Sequence, residues 1–444
     1  MNRFEKILLT VFFLEIFIGG GGRLIEFGPL SIRQVLFVLL LVTFLVRIVR
    51  EKAIFNKEIN TMVNFNMVSV AIYALLTSFV VSSVIGYLNH HSISVIAMDF
   101  FRVSFFLLYF PLAYYISDQR FSKKDIVNIL KYGSLIVALF TIAVTILGKT
   151  IFSQNFGVYY EFINKYTKGD LFFRPSNSVF HKSHFFVLIG LVISLNALLS
   201  KKYSKLDILN VIFCAISLIW SETRGFLLAF MVAMIFIIFL DIKMVTDHIK
   251  GVLNKIRAIP KNKMIFKKMI ITLLLVVAVP FLYNYMTLER FGVDTSQQIQ
   301  QPEDEEIVNE EINDVSVNAR MDFILDSLNI LKNPVNLIIG TGYGQEIAGR
   351  VNGIEMSFLD ILVEQGLIGL SIWGILFLLI FLNYHVYYKR KGDITTVDVS
   401  LLAAFVGALL LTNINPFINN PIGISFFLIL LVFSLNKKNS MGNQ

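Results

Sequence analysis

Long apolar runs recur along the whole chain and are separated by shorter polar segments. A run of about twenty apolar residues is long enough to cross a bilayer as a helix. The pattern predicts twelve such spans, near residues 6–22, 30–46, 66–86, 99–117, 131–148, 184–199, 206–220, 224–241, 269–286, 362–383, 399–413 and 422–436. We therefore expect an all-α, polytopic membrane protein, with the first apolar run as an uncleaved span and not a signal peptide.

The composition agrees with a membrane protein. Of the 444 residues, 56% are hydrophobic and only 16% are charged, whereas about a quarter of the residues in a soluble domain are charged. The chain has one cysteine, Cys214, so we expect no intramolecular disulfide. The formal net charge of +8 indicates membrane orientation and not nucleic-acid binding.

Basic residues cluster in alternate segments between the predicted spans. If the N-terminus is cytoplasmic, the inside segments contain 26 of the 39 Lys and Arg residues, which is the bias that orients membrane chains. Both termini are therefore predicted to be cytoplasmic. The chain then divides into transmembrane helices 1–9 (residues 1–286), a large extracytoplasmic loop (287–356), and helices 10–12 with a cytoplasmic tail (357–444). Residues 149–183 form a second long outside loop.

The large loop contains three different patterns. Its acidic segment QPEDEEIVNEEIND, residues 301–314, has the composition of a solvated, mobile linker. The next segment, residues 318–334, has apolar residues at helical spacing: Met321, Ile324, Leu325, Leu328 and Leu331. This spacing predicts an amphipathic helix that lies on the membrane surface or packs on the bundle. The sequence GTGYG at 340–344 predicts a tight glycine turn, because the Lys-Ser/Thr pair of a phosphate-binding loop does not follow it.

Arginines recur on the outward-facing side of the predicted bundle: in loops that flank spans, at or near span ends, and at the start of the amphipathic helix. A charge there is costly, by about 2.5–3.5 kcal/mol at a bilayer centre and less near the edge. The group comprises Arg23, Arg33, Arg102, Arg174, Arg224 and Arg320. Because a guanidinium stays charged and donates two parallel hydrogen bonds, the group predicts an anionic ligand such as a phosphate. Alternatively, each arginine reaches lipid headgroups or pairs with an acid such as Glu222, Glu26 or Asp99.

Histidines and carboxylates supply the remaining candidates. His181 and His184 are three residues apart, and near Arg174 they could touch a phosphorylated ligand; without an acidic companion at ligand spacing, no metal site is predicted. Glu355 and Glu364 bracket the start of the tenth span. A carboxylate half out of water can act as a general base or acid. The alternative, favoured for Glu364, is a structural carboxylate that satisfies free amides at a helix start.

Together these features resemble the O-antigen polymerase and O-antigen ligase superfamily of bacterial membrane glycosyltransferases. The resemblance covers most of residues 170–385. It rests on about twelve spans with cytoplasmic ends, on a Ser-x-x-Arg-Gly span start, on a late outer loop with an arginine-led helix and a Gly-x-Gly turn, and on a Leu-x-x-Leu-x-Glu-x-Gly segment. The motif residues are Ser221, Arg224, Gly225, Arg320, Pro334, Gly340, Gly342, Gly344, Leu359, Leu362, Glu364, Gly366 and Gly369.

One departure separates this chain from many members, the ligases especially. They have a His-Asn pair where this chain has Glu355-Met356. This difference favours a polymerase over a ligase. A glutamate in that position could still act as the base.

The resemblance implies a reaction between lipid-linked glycans at the outer face of the cytoplasmic membrane. A sugar hydroxyl of one repeat unit attacks the anomeric carbon of another, and undecaprenyl diphosphate leaves. It implies catalytic roles for Glu355, Arg224 and Arg320, with no cofactor or metal. It further implies substrate binding by Arg174, Arg224 and Arg320, and the sequence itself adds His181 and His184 as candidate substrate-binding residues.

The expected partners are the undecaprenyl-diphosphate-linked oligosaccharide and membrane lipids. A chain-length regulator and a flippase of the same pathway are further expected partners, and nucleic acid is not. Three alternatives remain: an O-antigen ligase-type transferase, a flippase or other transporter of lipid-linked oligosaccharide, and a non-enzymatic component of an assembly complex. A transporter usually shows internal repeats with polar breaks in corresponding halves, and we find no convincing repeat here.

Overall fold

The structure is a computed structural model that describes residues 1–22, 25–27, 30–174, 176–247, 249, 254, 259–260, 262–291, 315–351 and 353–439. Most of this part of the chain is helical. Its named helices are α1 (Arg3–Ile18), α2 (Ile32–Arg50), α3 (Met67–Leu88), α4 (Ile93–Ser104), α5 (Tyr109–Tyr115), α6 (Lys123–Lys149), α7 (Phe156–Thr167), α8 (His184–Leu199), α9 (Lys205–Trp220), α10 (Arg224–Thr246), α11 (Lys263–Phe291), α12 (Val315–Leu331), α13 (Pro334–Ile339), α14 (Ser357–Lys391), α15 (Thr396–Leu411) and α16 (Pro421–Asn439).

Short strands and 3₁₀ turns complete the regular structure of the described residues. Strands β1 (Glu26–Phe27) and β2 (Leu30–Ser31) form one antiparallel hairpin. Strands β3 (Leu171–Phe173) and β4 (Val179–His181) form a second. The 3₁₀ segments are Thr61–Val63 and Phe105–Leu108, and the latter joins α4 to α5.

Each of the twelve predicted spans falls on a helix, the fourth on α4, its 3₁₀ segment and α5 together. Within the described residues, eight spans are long and apolar enough to cross a membrane: Ile32–Arg50, Met67–Leu88, Ile93–Tyr115, Lys123–Lys149, Arg224–Thr246, Lys263–Met286, Ser357–Lys391 and Pro421–Asn439. Helices α1, α8, α9 and α15 have 16 residues each, or about 24 Å of helix. The all-α, polytopic fold is confirmed, and twelve spans stay a prediction.

Local sequence sets where several helices begin. Capping boxes start α1 at Asn2 with Glu5, α2 at Ser31 with Gln34, and α6 at Ser122 with Asp125. In each case the two side chains and backbone amides satisfy each other, which supplies partners to N–H groups that the first turn of a helix leaves open. The short polar segments between apolar runs therefore do more than connect: they place the helix ends.

Several of the basic residues from which the membrane orientation is predicted form ion pairs with buried carboxylates. Lys268 Nζ lies 2.5 Å from Asp241 Oδ2, and Lys123 Nζ lies 2.6 Å from Asp398 Oδ1. Removing one partner from a buried pair typically costs about 3–5 kcal/mol, so these pairs hold α10 to α11 and α6 to α15. The orientation of the termini remains a prediction.

The predicted amphipathic helix is present as α12. Phe323 and Ser327 are its buried side chains near the middle, whereas Met321, Leu325 and Leu328 are each more than half exposed. The helix thus packs on the bundle through one face, as one of the two predicted arrangements has it, and leaves apolar side chains exposed on another. Its location on the membrane surface stays a prediction. The acidic segment 301–314 and Arg23 lie outside the described residues.

The GTGYG turn is confirmed as a glycine turn, and it packs deep in the bundle. Gly340, Gly342 and Gly344 all have a φ near +82°, which favours glycine. A Cβ on Gly342 would lie 2.1 Å from the Gly86 nitrogen of α3. The Tyr343 amide donates to the Ser82 carbonyl at 3.0 Å, and the Tyr343 side chain is fully buried. The turn therefore fastens the outer loop to α3.

Candidate functional site

A cavity of about 840 Å³ lies between α10, α11, α12 and the loops that precede α8, α14 and α16. Basic side chains line it in number: Arg33, Arg102, Arg174, Lys182, Arg224, Arg320 and Arg350. Among the described residues of its wall, Glu355 is the one carboxylate. A concave site whose charged side chains are mostly of one sign concentrates ligands of the opposite sign. The cavity therefore suits an anion, as the arginine pattern predicts.

Arg224 stands at the first residue of α10, so the positive end of the helix dipole adds to its charge. Its Nη1 donates to the Tyr283 hydroxyl of α11 at 2.9 Å, and its guanidinium lies 5.0 Å from the centre of that ring. Arg174 reaches the same turn from the β3–β4 hairpin: Nη2 donates to Thr223 Oγ1 at 3.1 Å, and Nε to the Ser221 carbonyl at 3.4 Å. Two guanidiniums thus converge on the polar turn before α10.

Glu222 occupies the middle of this turn. It is buried and accepts a short hydrogen bond from the Ser176 hydroxyl of the hairpin. Its φ is +50°, an uncommon backbone conformation for a residue other than glycine. The turn and the hairpin are therefore fastened to each other at several points, and the site between them is built rather than incidental.

Arg320, Arg350 and Glu355 form a second charged group on the cavity wall. Glu355 Oε2 lies 3.5 Å from Arg320 Nη2, and its Oε1 lies 3.5 Å from Arg350 Nη1. Arg320 also donates to the Ile414 carbonyl at 3.4 Å, which joins α12 to the loop between α15 and α16. The structure thus brings four predicted residues, Arg174, Arg224, Arg320 and Glu355, to one cavity.

Apolar side chains form another part of the wall. Leu227, Leu228 and Met231 of α10 line the cavity together with Val279 of α11. Only 17% of the apolar stretch of α11 is buried within the protein, so most of the surface of this helix is exposed. The cationic part of the cavity therefore adjoins an apolar groove beside a candidate membrane span that is mostly exposed.

A buried charge cluster extends inward from Arg102 of the cavity wall. Arg102 Nη2 lies 3.3 Å from Asp99 Oδ1, 3.6 Å from Asp360 Oδ2 and 3.6 Å from Glu364 Oε2. The pairing of Arg102 with Asp99 is the alternative that the sequence left open for this arginine. Glu364 is buried in this cluster, in keeping with the structural role favoured for it. Sequence reasoning missed the cluster, although Asp360 and Glu364 are four residues apart on one helix.

Asp360 connects this cluster to two loops of the cavity wall. Its Oδ1 accepts from the Ile354 amide at 3.3 Å, and its Oδ2 accepts from Asn419 Nδ2 at 2.7 Å. Ile354 directly precedes Glu355, and Asn419 lies in the loop before α16. Asp360 therefore helps to position Glu355.

Replacing Asp360 with asparagine is expected to destabilise the site. An amide nitrogen cannot accept from Asn419 or balance Arg102, and each lost hydrogen bond to a charged group costs about 1.5–3 kcal/mol. We expect a lower thermal unfolding midpoint for the purified protein in detergent. The exposed Asp118 serves as the control, and an Asp118→Asn protein should have the same thermal unfolding midpoint as the wild type. An Asp360→Asn midpoint equal to the wild-type value would contradict this role.

The structure places His181 and His184 behind the cavity and not in its wall. Both are buried, and neither is among the described residues that line the cavity. Burial lowers the pKa of His181 to about 4, so this imidazole is neutral near pH 7 and brings no charge to an anion. His184 bonds through Nε2 to Ser217 Oγ at 2.9 Å, and its ring stacks under Phe180 at 5.7 Å. Their contacts are those of packing residues.

Lys182 lines the cavity although the sequence did not single it out as a ligand-binding residue, and Arg33 of the predicted arginine group lines it as well. Arg33 Nε lies 2.9 Å from Glu15 Oε2, and Lys182 Nζ lies 2.7 Å from Asp170 Oδ1. Glu15 lies on α1, 18 residues before Arg33. Asp170 lies across the β3–β4 hairpin, 12 residues before Lys182. No spacing in the sequence relates these acids to their cations, so only the folded chain shows the two ion pairs.

Comparison with known proteins finds similarity to O-antigen ligases and polymerases. The family model described as O-Antigen ligase matches residues 209–374, a range that contains Arg224, Arg320 and Glu355. The chain is also 28% identical over 446 residues to a protein of Shigella flexneri named O-antigen polymerase. That similarity covers 98% of this chain and 96% of the relative, so it extends through all the helices around the cavity.

Proposed function

Because the chain belongs to the O-antigen polymerase and O-antigen ligase superfamily, we propose that it is a membrane glycosyltransferase that polymerises oligosaccharide repeat units. The units are carried on undecaprenyl diphosphate, and the reaction takes place at the outer face of the cytoplasmic membrane. One observation carries the proposal: the cavity combines seven basic side chains with an apolar groove beside a membrane-exposed helix. This combination suits a diphosphate that is attached to a lipid.

The proposed chemistry transfers a glycan from one lipid carrier to a second lipid-linked unit. A hydroxyl of the acceptor sugar attacks the anomeric carbon of the donor. The bond from that carbon to the diphosphate oxygen breaks, and its electron pair leaves with the diphosphate. Arg174, Arg224 and Arg320 stabilise the negative charge that develops there, and the N-terminus of α10 adds to their effect. These fixed cations serve the leaving group without a metal.

Glu355 is the proposed base for the acceptor hydroxyl. It is about one-third exposed in the cavity wall, and two guanidiniums hold its oxygens in place. A carboxylate in hydrogen-bond reach of a hydroxyl can take its proton as the new glycosidic bond forms. Arg320 and Arg350 orient Glu355 toward the cavity, while the Asp360 contact fixes the backbone before it.

The apolar groove is the proposed site for the isoprenoid tail. Leu227, Leu228 and Met231 lie on α10, which begins at Arg224, so the apolar surface starts within one helical turn of the cation. Val279 faces it from α11. A lipid tail in this groove stays in an apolar environment while its diphosphate reaches the arginines.

Two observations favour a polymerase. The Shigella flexneri relative is named a polymerase, and this chain has Glu355-Met356 where many ligases have a His-Asn pair. The second candidate is a ligase, which the description of the matched family model favours. Glycan analysis of a strain that lacks the gene separates them. Single repeat units in place of polymer indicate a polymerase, whereas full-length polymer that remains on its lipid carrier indicates a ligase.

A transport assay tests the transporter alternative. The purified protein in vesicles should elongate lipid-linked repeat units into a ladder of polymer. A protein that moves these units across the vesicle membrane and never elongates them is a carrier, and that result would overturn the proposed function.

Replacing Glu355 with glutamine is expected to lower the polymerisation rate by about 100-fold or more, the usual size of a general-base contribution. The measurement is the polymer ladder of a gene-deletion strain that expresses each variant at an equal membrane level. Glu346, exposed in the same outer loop, supplies the matched control, and a Glu346→Gln strain should produce wild-type polymer. Normal polymer from the Glu355→Gln strain would remove Glu355 from the mechanism.

A further inference from the structure

The β3–β4 hairpin presents two aromatic side chains to the cavity. Its register pairs Phe172 directly with Phe180, and their ring centres lie 5.7 Å apart. Because side chains alternate between the two faces of a strand, Leu171 and Val179 point the other way. There they are buried with Tyr159 of α7. One face of the hairpin thus packs on the helices, and the other forms a wall of the cavity.

The position of this wall is fixed by contacts with the segment after α1. The Asp170 carboxylate accepts from the Gly21 amide at 2.6 Å and from Lys182 Nζ at 2.7 Å. Ser183 Oγ accepts from the Gly20 amide at 2.9 Å. A surface that is held in place before binding loses little conformational entropy when it takes up a ligand.

The Phe172 side chain is 43% exposed although it lines the cavity. Lys182 Nζ is 5.8 Å from the centre of its ring, and the Arg174 guanidinium is 5.7 Å from the centre of Phe180. An isoprenoid site would have only apolar neighbours, as in the groove between α10 and α11. An exposed ring beside hydrogen-bond donors instead fits a ligand with an apolar face and polar edges.

We propose that Phe172 stacks on a sugar ring of the lipid-linked glycan. A pyranose has a C–H face that packs on an aromatic ring, and it has hydroxyl edges that accept hydrogen bonds from Lys182. Arg174 contacts both the Phe180 ring and the turn before Arg224. The subsite therefore adjoins the proposed diphosphate site, which assigns it to the sugar nearest the diphosphate. The inference rests on the proposed function, and it makes the hairpin a determinant of repeat-unit specificity.

The test compares side chains of different shape at position 172. Full-length protein in vesicles receives lipid-linked repeat units extracted from the gene-deletion strain, and the elongation rate is measured against their concentration. We expect Phe172→Ala and Phe172→Leu to raise KM by about tenfold, the upper end for one aromatic contact, with a small change in kcat. Phe172→Trp should stay within about twofold of the wild type. Phe162→Ala is the control, because Phe162 is exposed on α7 and away from the described cavity wall.

The outcomes separate this inference from the function on which it rests. If wild-type vesicles elongate the glycan and Phe172→Leu has the wild-type KM, apolar packing suffices and the stacking inference is wrong, while the polymerase proposal stands. A wild-type KM for Phe172→Ala would likewise show that the stacking inference is wrong. If wild-type vesicles fail to elongate the glycan, the proposed function fails first. An increase in KM for alanine and leucine, with retention by tryptophan, supports a glycan subsite.

Discussion

Replacing Arg224 with alanine is expected to lower glycan polymerisation by about 100- to 1,000-fold, because one fixed donor to a developing anion typically contributes this much. Arg224 lines the cavity at the first residue of α10, so its charge and the helix dipole act on the same ligand. A diphosphate that leaves without this guanidinium develops its charge against a weaker positive field. The loss should therefore appear in kcat as well as in substrate binding.

Lysine at position 224 keeps the charge and removes the planar fork, so Arg224→Lys should retain part of the activity. Arg390, exposed at the far end of α14, provides the control, and Arg390→Ala should leave polymerisation unchanged. The readout is the polymer ladder of a deletion strain, normalised to the amount of each variant in the membrane. Intact polymer from an Arg224→Ala strain would oppose the enzyme and support a non-enzymatic role in an assembly complex.

The helices of the fold follow from the sequence because each span satisfies a local condition. Twenty apolar residues form a helix in a bilayer whatever the rest of the chain does, since every backbone polar group must be paired within the segment. The site arginines follow from a similar condition. A cation beside an apolar segment is costly unless it meets a ligand or an acid, so the arginine group that includes Arg174, Arg224 and Arg320 is predictable from the sequence.

The remaining features depend on contacts between distant segments. The hairpin that carries Phe172 meets the loop after α1, and Arg102 of α4 meets Asp360 and Glu364 of α14. Neither contact produces a periodic pattern in the sequence, because each depends on two distant segments that meet only in the folded chain. The histidines show the reverse case. Their spacing suggested a ligand site, yet His184 supports the Phe180 ring from behind, and the packing of the hairpin decides this.

Replacing Gly366 with alanine is expected to prevent correct assembly of the site. Gly366 interrupts α14 with φ +65° and ψ −172°, a region that essentially only glycine occupies. A Cβ there would lie 2.3 Å from the Ile338 carbonyl oxygen and 2.5 Å from the Gly340 nitrogen. Both are backbone atoms, so no side-chain rotation relieves the clash. We expect a loss of more than about 4 kcal/mol of stability, in the range seen for severe backbone and packing defects.

The consequence reaches the cavity because Gly366 lies two residues after Glu364 and sets the angle between the two parts of α14. The part before it carries Asp360, which holds the backbone ahead of Glu355. Gly374 lies in the same helix with open space around it, and alanine there should be neutral or stabilise the helix by about 1 kcal/mol. Membrane levels and thermal unfolding midpoints of the two variants measure the contrast. A Gly366→Ala protein as stable and active as Gly374→Ala would show that the break in α14 does not hold the outer loop in place.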